Sequence, residues 1–451
     1  MIQVTAIFDV GKTNKKVLLF DNSLNLIFEK EVRFKELKDD DGFERDDVEG
    51  FIKWMNGILN ELLANKKYDI KALNFSTYGA TIACLDENGN LAAPVYNYLK
   101  TMPKRVLNGF YEKYGGVEEF SRKTASPALD MLNSGLQIYY LKKAKPEMYK
   151  KTKNILHFPQ YLSFLFTGKP VSEYTSIGCH TALWDFDNMK YHQWLADERI
   201  SLPVPVSNNT TYKVKISGKE IKVGIGIHDS SSSLVPYLRA NQGKEFILIS
   251  TGTWAINMNP FSKDQLTAEE LKKDCLCYLS VDQNQVKSSR LFLGHIHEVN
   301  SIKLSQYFNV AENEFKRVQA DHELIKKMII EDKMVFFPDG IPSDYMGRLD
   351  PLIRFTGYSG AYHQLIYELA KIEAETIKLA LDKKDTTQDM FITGGFAKND
   401  IFTILLGYFF RSKNVYTANV DNATALGAAM MVMPESATSD FKCELSPVKQ
   451  L

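Results

Sequence analysis

Two apolar strand pairs, each closed by a short turn that contains a glycine, constrain the fold of this chain more than any other feature of its sequence. In the first pair, apolar residues 4–8 and 17–20 flank a turn at 9–14. In the second pair, residues 247–256 place Ser-Thr-Gly-Thr between two apolar runs. Apolar runs separated by turn residues predict β-hairpins. Because one such hairpin opens each half of the chain, we expect a large duplication.

The length of the chain agrees with two domains. At 451 residues, the chain exceeds the roughly 100–200 residues that one domain usually takes. The polar linker at 239–244 precedes the apolar run at 246–249. We therefore predict an N-terminal domain at 1–240 and a C-terminal domain at 241–451.

Charge and composition exclude several classes of function. The 55 basic and 55 acidic residues give a formal net charge of zero. This balance argues against a protein that binds nucleic acid through bulk positive charge, and against an acidic disordered chain. The five cysteines are odd in number and scattered, which argues against a disulfide framework. Because no signal peptide or long apolar run is evident, we expect a cytoplasmic protein without membrane association.

Local patterns predict further elements. Helical spacing occurs at 51–63, 361–382 and 399–410, and residues 130–170 look helical with breaks at Pro146 and Pro159. Strands are predicted at 72–75, 221–227 and 390–392. Residues 81–85, followed by the turn at 86–90, predict another hairpin.

The first turn has the composition of an anion site. Gly11 lets backbone N–H groups approach an anion without a Cβ in the way. Thr13 and Asn14 can donate to phosphate oxygens, and Asp9 can hold a hydrated Mg²⁺. The alternative is a plain hairpin in which Asp and Asn serve turn geometry.

Two glycine turns in the second half allow the same interpretation. Ser250-Thr251-Gly252-Thr253 repeats the logic of the first turn. Gly394 and Gly395 follow a predicted strand and precede a helix, where a nucleotide can approach closely. Asn399 is equally suited to cap that helix. The spacings of a Walker A loop and of a dinucleotide-binding Rossmann turn are absent.

Asp229 is the candidate general base. It follows an apolar strand and precedes four serines that open a helix. A carboxylate placed there could take a hydroxyl proton while the helix N-terminus faces a phosphoryl group. The alternative is that Asp229 or a following serine only caps the helix.

These motifs, taken in order, resemble the FGGY family of carbohydrate kinases over nearly the whole chain. The matching segments are residues 9–14, 76–79, 158–162 with 165–168, 226–229, 250–254, 393–399 and 423–429. The resemblance implies an α/β fold of two actin-like (ribonuclease H-like) domains around a deep cleft. It also implies an enzyme that transfers the γ-phosphate of ATP to a sugar hydroxyl with Mg²⁺.

The resemblance also implies a role for each matched residue. Asp229 would be the catalytic base, and Asp9 and Asp229 would hold Mg²⁺, largely through water. The ATP phosphates would contact Gly11, Lys12, Thr13, Asn14, Lys16, Thr251, Gly252 and Thr253. Adenosine would contact Gly394, Gly395, Lys398 and Asn399. The sugar would contact Tyr78, Gly79, Tyr96, Asn97, Gln160, His228 and Asp229.

Within the family, residues 250–254 lean towards rhamnulokinase and residues 9–14 towards L-fuculokinase. We therefore expect L-rhamnulose or L-fuculose as the acceptor, with xylulose, ribulose or glycerol as alternatives. Gln137, Tyr140 and Gln160 depart from the family pattern near the sugar pocket, and Lys12 departs in the first turn. A non-catalytic ATP-binding sugar sensor is the alternative from another class. Sugar and ATP are the expected partners, nucleic acid is not, and a homodimer stays open.

Overall fold

The computed structural model describes residues 1–348 and 350–451. Two seven-stranded sheets, each covered by helices, form its two halves. None of the helices in the described part of the chain combines the length and apolar character that a membrane span requires.

The first sheet is built around two buried parallel strands. Ile2–Val10 lies parallel to Tyr68–Thr77 and antiparallel to Lys15–Asp21, so the predicted first hairpin is confirmed. Apolar side chains on both faces of these strands are buried, because helices cover both sides. From edge to edge the strands are Thr211–Ile216, Lys219–Gly224, Tyr68–Thr77, Ile2–Val10, Lys15–Asp21 and Leu26–Val32, with Ile227–His228 also paired to Tyr68–Thr77.

The second sheet repeats this core arrangement. Phe246–Thr251 lies antiparallel to Ala255–Asn259 and parallel to Asp389–Gly394. The second predicted hairpin is therefore confirmed, and its parallel neighbour corresponds to Tyr68–Thr77 of the first sheet. In spatial order the strands are Cys275–Leu279, Gln285–Leu291, Ala255–Asn259, Phe246–Thr251, Asp389–Gly394, Asn414–Asn419 and Glu444–Pro447.

Helices and short pairs of strands complete the two halves. The α-helices before the second sheet are Val48–Ala64, Lys104–Lys113, Val117–Thr124, Ser134–Ala144, Pro146–Lys151, Phe158–Thr167, Tyr174–Ile177, Trp194–Asp197 and Asp229–Asn241. Those after it begins are Ala268–Lys272, Leu293–Phe308, His322–Glu331, Tyr358–Ala380, Asp400–Phe409, Ala423–Met430 and Glu435–Thr438. The 3₁₀ helices are Asp130–Leu132, Glu314–Arg317, Asp350–Arg354 and Gly395–Lys398. Two-stranded sheets pair Leu37–Lys38 with Glu44–Arg45, Ile82–Leu85 with Asn154–His157, Ser172–Glu173 with Pro205–Val206, and Trp184–Asp185 with Lys190–Tyr191.

The hairpin predicted at 81–90 is wrong in its partner strand. Ile82–Leu85 pairs with Asn154–His157, and after the turn only Leu91 makes an isolated bridge to Leu85. Pro94 follows three residues later and has no N–H to donate, so the local ladder cannot extend.

The helical prediction for 130–170 is wrong at 154–157, which form a strand. The break predicted at Pro146 is confirmed, because one helix ends at Ala144 and the next begins at Pro146. Pro159 instead follows the strand, and each proline lies in the first turn of its helix. Proline is tolerated there, where its missing N–H would have no partner within the helix.

A helix from the end of the chain packs on the first sheet. Ala423–Met430 lies against Asp229–Asn241 so closely that a Cβ on Gly427 would be 1.9 Å from the carbonyl oxygen of Ser232. Asn74 Nδ2 donates to the carbonyl of Ala428 at 2.8 Å. The two halves are therefore joined by close backbone contact next to Asp229.

Candidate active site

Asp229 lies where a first-sheet strand ends and a helix begins. The strand Ile227–His228 leads directly into the helix Asp229–Asn241. The backbone N–H of Ser230 donates to Asp229 Oδ1 at 2.6 Å, and His228 Nε2 lies 3.2 Å from the same oxygen. Burial raises the pKa of Asp229 to about 6 and lowers the pKa of His228 to about 4. At neutral pH, Asp229 is thus a carboxylate beside a neutral imidazole, and 34% of its side chain remains exposed.

Asp9 lies at the same end of the first sheet as Asp229, where the parallel strands Ile2–Val10 and Ile227–His228 have their carboxyl ends. The strand register places Asp9 opposite Ser76 and Ser76 opposite Ile227. Burial raises the pKa of Asp9 to about 7, the charge of Asp229 adds to the rise, and Lys16 opposes it. Asp9 and Asp229 together offer carboxylate oxygens, which are the kind of ligand that Mg²⁺ takes.

The first predicted phosphate turn is closed by a hydrogen bond from Gly11 N to the carbonyl of Asn14 at 2.9 Å. Thr13 is exposed at its tip, whereas the buried Asn14 Oδ1 has no protein partner. Lys16 lies opposite Asp9 in the ladder, with its Nζ 2.6 Å from Glu29 Oε1. The ammonium of Lys12 lies 2.8 Å from Asp46 Oδ2 and 3.4 Å from Glu36 Oε1.

The second predicted phosphate turn lies on the start of a helix. Gly252 N donates to the carbonyl of Trp254 at 2.9 Å, and Gly294 N donates to the carbonyl of Thr253 at 3.0 Å. Gly294 belongs to the first turn of Leu293–Phe308. The N-terminus of this helix therefore adds favourable potential for an anion at the turn.

The hydroxyl of Thr251 joins this hairpin to the glycine pair. Thr251 Oγ1 donates to the carbonyl of Thr393 at 2.5 Å and accepts from Phe396 N at 3.0 Å. Gly394 has a φ of +84°, and a Cβ there would lie 1.8 Å from the carbonyl oxygen of Thr251. Only glycine fits at 394, so the shape of this turn depends on Thr251.

A cavity of about 690 Å³ opens beside Gly395. A Cβ added to Gly395 would meet no atom within 4 Å. Asn399 Oδ1 accepts from Phe402 N at 3.1 Å, while its Nδ2 donates to the hydroxyl of Tyr362 at 2.9 Å. Asn399 therefore caps a helix and lines the cavity as well. The lining residues are Gly252, His297, Phe315, Lys316, Val318, Gln319, Ala320, Tyr362, Gly395, Phe396, Lys398, Asn399 and Asp400.

A second cavity, of about 320 Å³, is lined by Asp229 and both halves of the chain. Ser230 and Ser233 line it from the first half, and Ser250 and Gly394 line it from the second. It borders both the candidate base and Gly394, the first glycine of the pair.

Gly79 and His228 lie beside Asp229 in the first half of the chain. A Cβ on Gly79 would lie 3.1 Å from both the His228 ring and Cys179 Sγ. Cys179 Sγ lies 3.1 Å from His228 Nε2. The structure therefore brings two predicted sugar residues, Gly79 and His228, together with the base. Tyr78 is buried, and its hydroxyl donates to Asp46 Oδ2 at 2.6 Å.

The other predicted sugar residues form hydrogen bonds within the protein, although the buried Gln160 Oε1 has no protein partner. The hydroxyl of Tyr96 donates to Asp40 Oδ1 at 2.9 Å, and Asn97 Oδ1 accepts from Leu99 N at 3.0 Å. Gln160 is fully buried, and its Nε2 donates to the carbonyls of Ile225 and Gly226 at 3.1 and 3.3 Å. Gln160 thus supports the backbone that carries His228.

Tyr98, Asp46 and Tyr362 were missed by the sequence analysis. Tyr98 is partly buried, and the charge of Asp229 contributes to raising its pKa. Asp46 binds side chains 34 and 32 positions away in the chain, and Tyr362 reaches Asn399 from a distant helix. Residues that pair over such separations leave no pattern in the local sequence. The only signal of these contacts was Lys12, which is unusual in the first turn.

The comparisons with known proteins agree with this geometry. Residues 4–235 match the N-terminal domain and residues 243–440 the C-terminal domain of FGGY carbohydrate kinases. The chain belongs to the FGGY family of carbohydrate kinases. It is 25% identical over 195 residues to a rhamnulokinase from Halalkalibacterium halodurans, a match that covers 41% of each chain. The chain thus matches less than half the length of this curated relative.

Solved structures show the same fold along the whole chain. A carbohydrate kinase from Novosphingobium aromaticivorans superposes with a TM-score of 0.80 at 23% identity, covering 100% of this chain and 95% of that one. A ligand-bound xylulose kinase from Lactobacillus acidophilus gives a TM-score of 0.76 at 16% identity, covering 99% and 93%. The predicted fold of two actin-like α/β domains around a cleft is confirmed.

Proposed function

We propose that this FGGY protein is an ATP-dependent kinase of a ketose, with Asp229 as its general base. One observation carries the proposal. Asp229 lines the cavity that also borders Gly394, and its carboxylate lies 3.2 Å from His228, which packs beside Gly79. A base in this position can face an acceptor hydroxyl on one side and a phosphoryl group on the other.

The proposed chemistry is a direct phosphoryl transfer. The Asp229 carboxylate accepts the proton of the acceptor hydroxyl as the new bond forms between that oxygen and the γ-phosphorus. The bond from the γ-phosphorus to the bridging oxygen of ADP breaks, and ADP leaves with that electron pair. Neutral His228 does not compete as a base, because burial lowers its pKa to about 4.

Asp9 and Asp229 would hold Mg²⁺, largely through water. Their carboxylates fit the preference of this ion for oxygen ligands. When bound, Mg²⁺ neutralises phosphate charge. Asp9 places a second acidic group near the base, and Lys16 opposite it favours its ionised form.

The nucleotide would lie across the second half. Its base and ribose would occupy the cavity beside Gly395, where Lys398 and Asn399 line the wall. Its phosphates would run past the Gly252 turn, with the helix N-terminus at Leu293, towards the Gly11 turn of the first half. The assigned domains, 1–240 and 241–451, would then each contribute one phosphate turn.

L-Rhamnulose and L-fuculose are the proposed acceptors. The similarity to a rhamnulokinase supports a 6-deoxyketohexose. Xylulose, ribulose and glycerol are the alternatives that a substrate panel must separate from it.

The test is release of ADP, measured by a coupled assay across these five acceptors. The proposal expects Mg²⁺-dependent turnover that is fastest with a 6-deoxyketohexose. Turnover that is fastest with xylulose, ribulose or glycerol would change the assigned substrate but would still support a kinase. Sugar binding without ADP release from any acceptor would instead identify a non-catalytic sensor.

A further inference from the structure

A group of polar side chains beside Asp229 has no part in the chemistry above. Its centre is Asp46, whose carboxylate accepts from Lys12 Nζ at 2.8 Å and from the Tyr78 hydroxyl at 2.6 Å. Glu36 Oε1 lies 3.4 Å from Lys12 Nζ. We define the acceptor wall as Lys12, Glu36, Asp46, Tyr78 and Tyr98.

Lys12 leaves the first phosphate turn and points into this wall. Its ammonium lies between two carboxylates and 5.7 Å from the centre of the Tyr98 ring. Of the two partners of the closer ion pair, Lys12 has 22% and Asp46 15% of its side chain exposed. Both side chains are therefore partly open to solvent.

Tyr98 connects the acceptor wall to the candidate base. Its ring packs edge-on against Tyr78, with ring centres 6.0 Å apart. Burial raises the pKa of Tyr98, and the charges of Asp46 and Asp229 both add to the rise. Tyr78 is followed directly by Gly79, which contacts His228. The wall thus lies on the side where the acceptor would meet Asp229.

The charges here disfavour an anionic acceptor. The carboxylates of Glu36 and Asp46 already balance the ammonium groups of Lys12 and Lys15, which lies 3.4 Å from Asp46. Asp9 and Asp229 add two further acidic groups, and Lys16 offsets only part of the charge of Asp9. A sugar acid would therefore bring its carboxylate into an excess of negative charge.

An uncharged sugar suits the same groups. An ammonium donates to hydroxyl oxygens and a carboxylate accepts from hydroxyl protons. Lys12 Nζ and Asp46 Oδ2, 2.8 Å apart, offer one charged donor and one charged acceptor side by side. Two neighbouring hydroxyls of a sugar present the matching pair.

We propose that Lys12 and Asp46 are a specificity-determining pair that binds neighbouring hydroxyls of an uncharged sugar and rejects sugar acids. This inference rests on the proposed kinase function. It assigns Lys12 to the acceptor rather than to the ATP phosphates.

The test compares Lys12→Met with Lys38→Met. Lys38 forms an ion pair with Glu44 at 3.3 Å, near Asp46 in the chain but on an exposed surface, so Lys38→Met controls for loss of a paired lysine. Steady-state kinetics with a ketose should show a rise of about tenfold or more in the KM for the sugar in Lys12→Met, the effect of losing a charge-assisted hydrogen bond. The KM for ATP should change less than about twofold, and the control should match the wild type. A larger rise in the KM for ATP than for sugar would make Lys12 a phosphate ligand and overturn the inference.

Two further measurements complete the test. Asp46→Asn keeps an acceptor for the Tyr78 hydroxyl but removes the charge, and it should weaken ketose binding about tenfold in calorimetry without nucleotide. Gluconate should bind the wild type at least about tenfold more weakly than the ketose. Unchanged ketose affinity in both variants, or equal binding of gluconate, would overturn the inference. Calorimetry needs no turnover. A wild-type protein that binds sugar but has no activity would therefore contradict the kinase proposal and leave the binding role of Lys12 and Asp46 standing.

Discussion

Asp9 and Asp229 lie at the carboxyl ends of parallel strands of the first sheet. The charge of Asp229 contributes to raising the pKa of Asp9 to about 7. The strand register places Asp9 opposite Ser76, and Ser76 opposite Ile227, two residues before Asp229. The charge of Asp229 therefore destabilises the ionised form of Asp9. A divalent cation bound between them would reverse this effect, which is the physical basis of the proposed Mg²⁺ site.

Asp9→Asn should make the protein more stable at alkaline pH. The pKa of Asp9 is higher in the folded state than its ordinary value of 3.8, so ionisation costs stability as pH rises from about 4 through about 7. We expect the Tm of Asp9→Asn, measured without Mg²⁺ at pH 8, to exceed that of the wild type by about 2–4 °C. The difference should shrink towards pH 4. A variant less stable than the wild type at pH 8 would show that Asp9 is held by favourable contacts instead.

Gly395→Val should weaken ATP binding selectively. A Cβ at Gly395 meets no protein atom within 4 Å, and the valine would occupy the cavity proposed for adenosine. We expect the KM for ATP to rise at least about tenfold and the KM for sugar to stay within about twofold. Gly57→Ala, at another open position, serves as the control. Equal rises in both KM values would contradict the assignment of this cavity to the nucleotide.

Thr251→Val should destabilise the turn at Gly394 and Gly395, which the Thr251 hydroxyl holds by two hydrogen bonds. The variant loses the hydrogen bond to Thr393 and leaves the N–H of Phe396 without a partner. A buried unsatisfied group costs about 1–3 kcal/mol, so chemical denaturation should show a loss of that order. Thr251→Ser keeps the hydroxyl and should retain most of the stability. If valine and serine behave alike, the hydroxyl does not support the turn.

The sequence contained enough to predict the scaffold of the site. Its two hairpins are local patterns, and Asp229 stands at a strand-to-helix junction that short-range signals define. Asn399 showed the limit of local reasoning, because its capping role was visible but its bond to Tyr362 was not.

What sequence reasoning missed depends on contacts between distant segments. The strand Asn154–His157 exists because Ile82–Leu85 pairs with it, and four residues carry no usable periodicity. The Lys12–Asp46 pair is likewise formed by folding. The packing of Ala423–Met430 on the first sheet depends on close contact at Gly427, which its sequence alone does not specify.

The cleft should close when both substrates bind. The proposed phosphate turns belong to different halves, so a nucleotide held by both would draw them together and exclude water from the reacting phosphate. Small-angle scattering with a ketose and a non-hydrolysable ATP analogue should show a smaller radius of gyration than the free protein. An unchanged radius with both ligands demonstrably bound would contradict closure.

The central claim is that Asp229 takes the proton from the acceptor hydroxyl. Asp229→Asn preserves the shape of the side chain and an oxygen that can accept from Ser230, and Asn caps a helix as well as Asp does. Loss of the base alone should lower kcat by at least about 10²-fold, while the Tm does not fall and ATP affinity is unchanged.

The most direct measurement is therefore the kcat of purified Asp229→Asn beside the wild type, under saturating ketose and MgATP. The account predicts a decrease of at least about 10²-fold in a variant that still binds both ligands. Turnover close to that of the wild type would mean that Asp229 is only a helix cap and would contradict the proposed mechanism.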